Sequence, residues 1–308
     1  MPSFVATSTG ATEHGGDPAQ TLAHLAVTAL VDEAELTPKP ALVDRRGNGA
    51  HHDLDLARLC GSARSLGDGL VAIARAAAAE PPSPRLREEL GRIGRDMERA
   101  MLAATGGGNA HRGAIWALGL LVAAAAQTPP RSATAPSRAA ATAARAAALA
   151  RLPDRFAPRV ASHGEHARLR YGVSGARGEA QAGFPHALRI GVPTLRAARR
   201  QGRPEPCARL DALLAIMATL DDTCLLHRGG QDALTIAKTG ARAVLTAGGA
   251  GDPIGLTLLY QLHADLMARW ASPGGSGDLL AVTLFLDRLD DGAGPIAATA
   301  QEAWSWRS

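Results

Sequence analysis

Three loops dense in glycine, and several carboxylates placed where helices do not favour them, are the features of this 308-residue chain that suggest chemistry. The loops are Thr105-Gly-Gly-Gly-Asn-Ala-His-Arg-Gly113, Gly172-Val-Ser-Gly-Ala-Arg-Gly178 and Ser272-Pro-Gly-Gly-Ser-Gly277, and each runs into an expected helix. A helix N-terminus offers unpaired N–H groups and positive potential, and glycine lets a phosphate approach the backbone closely. His111, Arg112 and Arg177 add charged donors. The first loop is no Walker motif, because the Gly-Lys-Ser/Thr ending is missing. One such loop is more often a plain connection than a site. Three together point to a ligand carrying several phosphates.

The carboxylates are read against the helices that hold them. Asp221 falls on the apolar stripe of its expected helix, in step with Leu214, Met217, Cys224 and Leu225. An ionised group there costs several kcal/mol unless an arginine pairs with it or a cation binds it. Glu33 continues the stripe of the first helix, and with Glu35 it occupies the last turn. Negative charge at that end opposes the helix dipole by roughly 0.3–1 kcal/mol. Asp53 and Asp55 stand in an expected first turn, where a capping role and a chemical one are about equally supported. Glu98 looks from the edge of the third helix toward the first glycine loop, although a solvated helix glutamate would need no explanation. Such acids suit Mg²⁺, which prefers oxygen ligands and often bridges carboxylates to substrate phosphates. His51, His52, His111 and His227 are candidates for acid/base groups or neutral ligands; structural histidines are the commoner case.

The elements that must position these groups are helices. Hydrophobic residues make up 46% of the chain and charged residues 20%, which describes a globular protein. Aromatics reach only 3%, while alanine supplies about a fifth, and such a core is made by close helix packing. The fold class is therefore all-α. Asp17-Pro18 opens a first helix, with the stripe Leu22, Leu25, Ala26, Ala29, that stops before Pro38. A second starts near Asp53 and runs through Leu70 and Ile73. A third carries Leu86, Leu90, Ile93, Met97, Met101 and Ala104, and a fourth starts after Gly113. Asp252-Pro253 opens a late helix reaching Trp270, and the last strong one follows Gly277 through Leu289. Residues 127–158 form an Ala/Pro/Arg-rich insertion in which Ala139–Leu152 reads as an exposed helix, with a disordered insertion as the alternative. The expected organisation is a disordered tail over 1–16 and a single helical domain over 17–308.

Charge and cysteine usage narrow the function classes. The net charge of +4 is carried almost wholly by arginine, Lys39 and Lys238 being the two lysines. No basic block interleaved with aromatics marks a nucleic-acid surface. The apolar run Ala114–Ala126 is too short to span a bilayer, and no signal peptide is visible. Cys60, Cys207 and Cys224 form no metal-binding or disulfide pattern. The expected location is the cytoplasm.

Several longer motifs resemble those of the triphosphoribosyl-dephospho-CoA synthases. They are Asp32-Glu-Ala-Glu-Leu-Thr-Pro-Lys-Pro40 with Leu42-Val-Asp-Arg-Arg46, Asn48-Gly-Ala-His51 with Asp53-Leu-Asp55, and Met101-Leu-Ala-Ala-Thr-Gly-Gly107 with Asn109-Ala-His-Arg-Gly113. Gly175-Ala-Arg-Gly-Glu179, Gly183-Phe-Pro185, Leu220-Asp-Asp-Thr223, Leu225-Leu-His-Arg-Gly-Gly230 and Ser272-Pro-Gly-Gly-Ser276 continue the likeness, which spans about residues 20 to 290. The wording is similar to the malonate decarboxylase branch rather than the citrate lyase branch. Ala41, Gly108, Ala110, Arg112 and Cys224 depart from the usual pattern.

The resemblance implies transfer of the triphosphoribosyl group of ATP to a ribose hydroxyl of 3'-dephospho-CoA, with release of adenine. The product would be the prosthetic-group precursor of the malonate decarboxylase acyl-carrier subunit, attached by a phosphoribosyl-dephospho-CoA transferase. On this reading Asp53, Asp55, Asp221 and Asp222 surround Mg²⁺, and Glu33 or Glu98 lies nearest the reacting ribose. His51 is the acid/base candidate. Thr105, Gly106, Gly107, Asn109, His111, Arg112, Arg177, Glu179, His227, Arg228, Gly274, Gly275 and Ser276 are expected to hold nucleotide and phosphate. Two other classes remain open: a metal-dependent phosphohydrolase using His52-Asp53 with Asp221, and a non-catalytic nucleotide-binding assembly factor.

Overall fold

Asp17 begins the first helix as its sequence promises, its carboxylate accepting the Ala19 N–H at 2.9 Å while Pro18 takes the first helical position. That helix, α1 (Pro18–Glu35), starts a computed structural model that describes residues 17–129, 137–157 and 163–290. The tail 1–16 lies outside the described residues. Among the described residues every regular element is helical, apart from an isolated bridge between Asp44 and Gly47.

Residues 53–73 form two helices where the periodicity suggested one. α2 (Leu56–Ser65) and α3 (Gly67–Ala79) meet at Leu66, whose N–H closes back on the Ala63 and Arg64 carbonyls. Gly61, Gly67 and Gly69 lower the helical propensity of this stretch, and Gly69 lies so close to Met97 that a methyl group there would overlap it. The break lets α3 press on α4 (Pro84–Thr105), which Ser83 caps through the Leu86 N–H and which buries Leu86, Leu90, Ile93, Met97 and Met101. Ala104, at the end of the expected stripe, is exposed.

α5 (Arg112–Ala126) is the centre of the molecule. From Ala114 to Ala125 every residue except Trp116 is buried, as an all-round apolar helix must be. It packs on α1, α3, α4, α6 (Arg138–Arg151) and α13 (Gly274–Asp290). Each fully buried leucine here, such as Leu118 or Leu121, stabilises the fold by roughly 1.5–3 kcal/mol. α6 corrects the expectation of an exposed insertion helix. Ala139, Thr142, Ala143, Ala146, Ala147, Leu149 and Ala150 are buried, because alanines at three-to-four spacing make a flat face that lets the α6 backbone approach α5 closely.

The second half continues with α7 (His163–Tyr171), α8 (Gly175–Gln181), a π-helical turn (His186–Gly191), α9 (Val192–Arg200) and α10 (Glu205–Met217). α11 (Thr223–Thr246) is interrupted at Gly230, where φ is 65°. α12 (Pro253–Met267) lies along α11, and α13 returns through the core against α1, α5 and α10. This topology brings the N-terminal ends of α5, α11 and α13 together.

Candidate active site at three helix N-termini

Asp221 and Asp222 separate in the structure. The helix expected to run through them ends at Met217 and restarts at Thr223, because Asp222 is the N-cap of α11 and accepts the Cys224 N–H at 2.9 Å. Asp221 is therefore not on a buried stripe. It lies exposed in the connection and pairs with Lys238 Nζ at 2.5 Å. The buried acid is Asp222, 1% exposed. Its Oδ1 also accepts the Gly275 N–H (3.3 Å), and its Oδ2 accepts both the Ser276 N–H (2.8 Å) and the Ser276 hydroxyl (2.9 Å). One carboxylate thus binds the first turns of α11 and α13. Gly275 permits this approach, since a Cβ there would stand 2.9 Å from Asp222 Oδ1. Burial raises the Asp222 carboxyl above its ordinary range, while the donors from Ser276, Cys224 and Leu225 hold it down.

Asp278, which sequence reasoning did not single out, repeats the device one helix further on. It projects from the fifth residue of α13 to the start of α5, where it accepts the Ala114 N–H, and a methyl group on Gly113 would overlap its carboxylate. Burial, then the neighbouring charges of Glu33 and Asp222, push its acid well above the usual carboxylate range. Glu33 is buried in the last turn of α1, as its stripe position implied, and lies against Gly277. It is neutralised by the wholly buried Lys39, whose Nζ donates to Glu33 Oε1 at 2.7 Å and to the Glu33 carbonyl at 2.6 Å. The chain's two lysines each sit on one of its candidate carboxylates. Their rarity was the available signal.

His51 bridges two loops beside this junction. Its Nε2 is 3.0 Å from Ser272 Oγ, its Nδ1 is 3.3 Å from Arg228 Nη2, and Asp53 lies 3.9 Å away. A guanidinium only donates, so Nδ1 is the acceptor and the Nε2–H points to Ser272. Burial first, then Arg228, lowers the His51 pKa to about 4 and keeps the ring neutral at pH 7. Arg228, exposed like His227, also donates to the Ala50 carbonyl at 2.9 Å.

The first glycine loop is tied down from within. Thr105 is buried and donates to the Gly108 carbonyl at 2.6 Å, Gly106 takes the left-handed position that ends α4, and Gly106 and Gly107 are exposed. Asn109 Oδ1 accepts the Arg112 N–H at 3.2 Å. Glu98 faces this loop as expected, through an ion pair with Arg112. Asp53 approaches the loop at Gly108, and Asp55 caps α2 through the Arg58 N–H. His111 is 3% exposed, with Nδ1 2.8 Å from Ser62 Oγ and a buried Nε2 that has no partner. Its pKa falls to about 4, by burial and then by Lys39. The second loop reaches the same junction where Gly175 abuts Thr223. Arg177 is exposed on α8. Glu179 turns elsewhere: its oxygens accept the His186 N–H (2.9 Å) and contact His186 Nδ1 (2.8 Å), so it braces the π turn.

The four aspartates expected around magnesium do not fit a common ion. Asp222 has its four acceptor positions filled by protein donors, Asp221 is held by Lys238, and Asp55 is a helix cap. Among the described residues no three His, Cys, Asp or Glu side chains gather as a metal site. The histidine-aspartate arrangement of a phosphohydrolase is not assembled either, since the exposed His52 ring stacks on Trp270 and Asp221 faces Lys238.

An all-α scaffold with helix N-termini converging between glycine loops is one suited to phosphorylated substrates. Residues 19–296 match the family described as ATP:dephospho-CoA triphosphoribosyl transferase, and the chain belongs to that family. It is 57% identical over 275 residues to the probable 2-(5''-triphosphoribosyl)-3'-dephosphocoenzyme-A synthase of Azotobacter vinelandii, covering 88% of this chain and 92% of that one. A protein of the same description from Pseudomonas fluorescens is 56% identical over 276 residues, covering 89% and 93%. The 2-(5''-triphosphoribosyl)-3'-dephosphocoenzyme-A synthase of Klebsiella pneumoniae is 52% identical over 268 residues, covering 87% and 94%. No solved structure matches the chain.

Proposed function

We propose that this enzyme moves the triphosphoribosyl group of ATP to a ribose hydroxyl of 3'-dephospho-CoA and releases adenine. The observation that carries this reading is the meeting of α5, α11 and α13 through Asp222 and Asp278. Those carboxylates occupy the first-turn N–H groups, so the donors open to triphosphate and pyrophosphate are the exposed Gly106 and Gly107 backbone and the side chains of Arg112, Arg177, His227 and Arg228. A magnesium ion would be held by the ATP phosphates themselves, where it would neutralise part of their charge.

The acceptor oxygen bonds C1′ of the ATP ribose while the bond from C1′ to adenine breaks, its electron pair leaving with the base. The transition state has oxocarbenium character, as in other glycosyl transfers. We assign the stabilisation of that charge to Glu98, the more accessible of the two glutamates, while Glu33 pairs with Lys39. Asp278, whose acid form is favoured by burial and by the neighbouring Glu33 and Asp222 carboxylates, is our donor to the departing adenine. His51 is our base. When Arg228 turns to a substrate phosphate, Nδ1 is freed and one cause of its lowered pKa is removed.

We also propose that the product serves the acyl-carrier subunit of malonate decarboxylase through a phosphoribosyl-dephospho-CoA transferase, a reading supported by the wording of the motifs. The three free cysteines fit a reducing compartment such as the cytoplasm. Mass spectrometry of the protein incubated with ATP, Mg²⁺ and dephospho-CoA tests the reaction. Free adenine and a dephospho-CoA adduct bearing triphosphoribose are expected; phosphate release without dephospho-CoA would overturn it.

A further inference from the structure

Trp270 is an exposed residue in a chain with few aromatic rings, and among the described residues it is one of five large hydrophobic side chains left exposed. The Trp270 backbone N–H bonds to the Met267 carbonyl and the Ala271 N–H to that of Leu266, a helix ending that places Trp270 at the left-handed position, φ 51°. Glycine usually stands there. His52 stacks on one side of the ring, with centroids 4.1 Å apart and planes 21° from parallel, and the residue is 39% exposed.

Both halves of this stack are attached to the site. His52 follows His51, whose Nε2 contacts Ser272, and Trp270 lies two residues before that same serine. The α11 turn that carries His227 and Arg228 packs on the Trp270 segment, since a Cβ on Gly229 would stand 3.2 Å from Ala271 Cβ and 3.9 Å from Arg269 Cβ. The ring is thus carried on a segment packed against the turn that bears Arg228, whose guanidinium lies 3.3 Å from His51 Nδ1. That pairing suits a base joined to phosphates, because any base stacks on an indole and arginine takes the phosphate.

We propose that Trp270, backed by His52, is a stacking platform for an adenine ring. The inference rests on the transferase reading, in which both ATP and dephospho-CoA carry adenine. Removal of a stacked aromatic weakens base binding by roughly 5- to 150-fold.

The test compares Trp270→Ala and Trp270→Phe with the wild type in steady-state assays, each substrate being varied in turn. Quenching of tryptophan fluorescence by AMP is followed in wild type and Trp270→Phe. Trp270→Ala is expected to raise the KM of one substrate about tenfold, with kcat falling less than threefold, and Trp270→Phe to recover most of the loss. A raised KM for ATP places the donor adenine on the platform, and a raised KM for dephospho-CoA places the acceptor's. Both KM values staying at wild type, or AMP quenching that is equal in wild type and Trp270→Phe, would overturn the proposal. Adduct formation by the wild type is scored in the same preparation. Its absence would sink the transferase reading, leaving AMP quenching to judge the platform alone.

Discussion

The Asp222 carboxylate takes both the amide and the hydroxyl hydrogen of Ser276, at 2.8 and 2.9 Å, and so joins the start of α11 to the start of α13. No neutral side chain repeats that arrangement. In Asp222→Asn an amide NH₂ must face N–H donors, which should cost about 2–4 kcal/mol of stability and at least ~10²-fold in turnover. Asp221→Asn removes only an exposed pair with Lys238 and should change stability by less than about 1 kcal/mol. Denaturant unfolding and adenine release measured on both variants decide between them; equal effects would contradict the separation of the two acids.

Asp278→Asn keeps an oxygen for the Ala114 N–H but has no proton to give. Turnover should fall about 10²-fold. With the wild type, the rate should decline as pH rises through the raised Asp278 pKa, because the donor is then ionised. The variant should lose that descending limb. Persistence of the limb in Asp278→Asn would assign the proton donor elsewhere.

Lys39 and Glu33 are a buried pair, so removing one partner leaves an uncompensated charge. Lys39→Met should lose about 3–5 kcal/mol, while the double variant Lys39→Met with Glu33→Gln should regain a large part of it. A double-mutant cycle by chemical denaturation reads the coupling. Additive losses would mean that the two side chains act independently.

Glu98→Gln weakens the hold of α4 on Arg112 without touching the core. If Glu98 stabilises the ribose cation, turnover should fall at least ~10-fold while the unfolding midpoint stays within a few degrees. Wild-type turnover in Glu98→Gln would reduce it to a loop brace.

Burial holds the His111 pKa near 4, below the model-peptide value of 6.5. Between those values the unfolded chain binds a proton that the folded chain does not, so stability rises with pH from about 4 to 6.5 and falls as pH drops through that window. The contribution of His111 is about 3 kcal/mol at most. In His111→Asn the slope of stability against pH over this window should be shallower, although His51 titrates in the same direction. An unchanged slope would show that His111 is not buried neutral.

Local chemistry was readable one residue at a time. Asp17-Pro18 and Asp252-Pro253 announced helix starts because capping needs only near neighbours, and the period of Leu86, Leu90, Ile93, Met97 and Met101 marked a buried face. Glu33 was identified by the same logic. Asp221 and Asp222 exchanged places because an apolar stripe can continue in register across a helix break, and periodicity does not distinguish the two cases. The Ala139–Leu152 segment reads as a surface by its arginines and is a packing face by its alanines, and only its neighbours decide which.

Composition and motifs by themselves determined an all-α protein of the triphosphoribosyl transferase family and the three glycine loops. Tertiary structure alone decided that the loops meet, that Asp278 of α13 caps α5, that Lys39 neutralises Glu33, and that His52 stacks on Trp270. Helix signals act within a few residues, so the chain declares them directly. A contact such as that of Ser62 with His111, or of His51 with Ser272, exists only after the helices have packed, and it depends on the shape of the whole core.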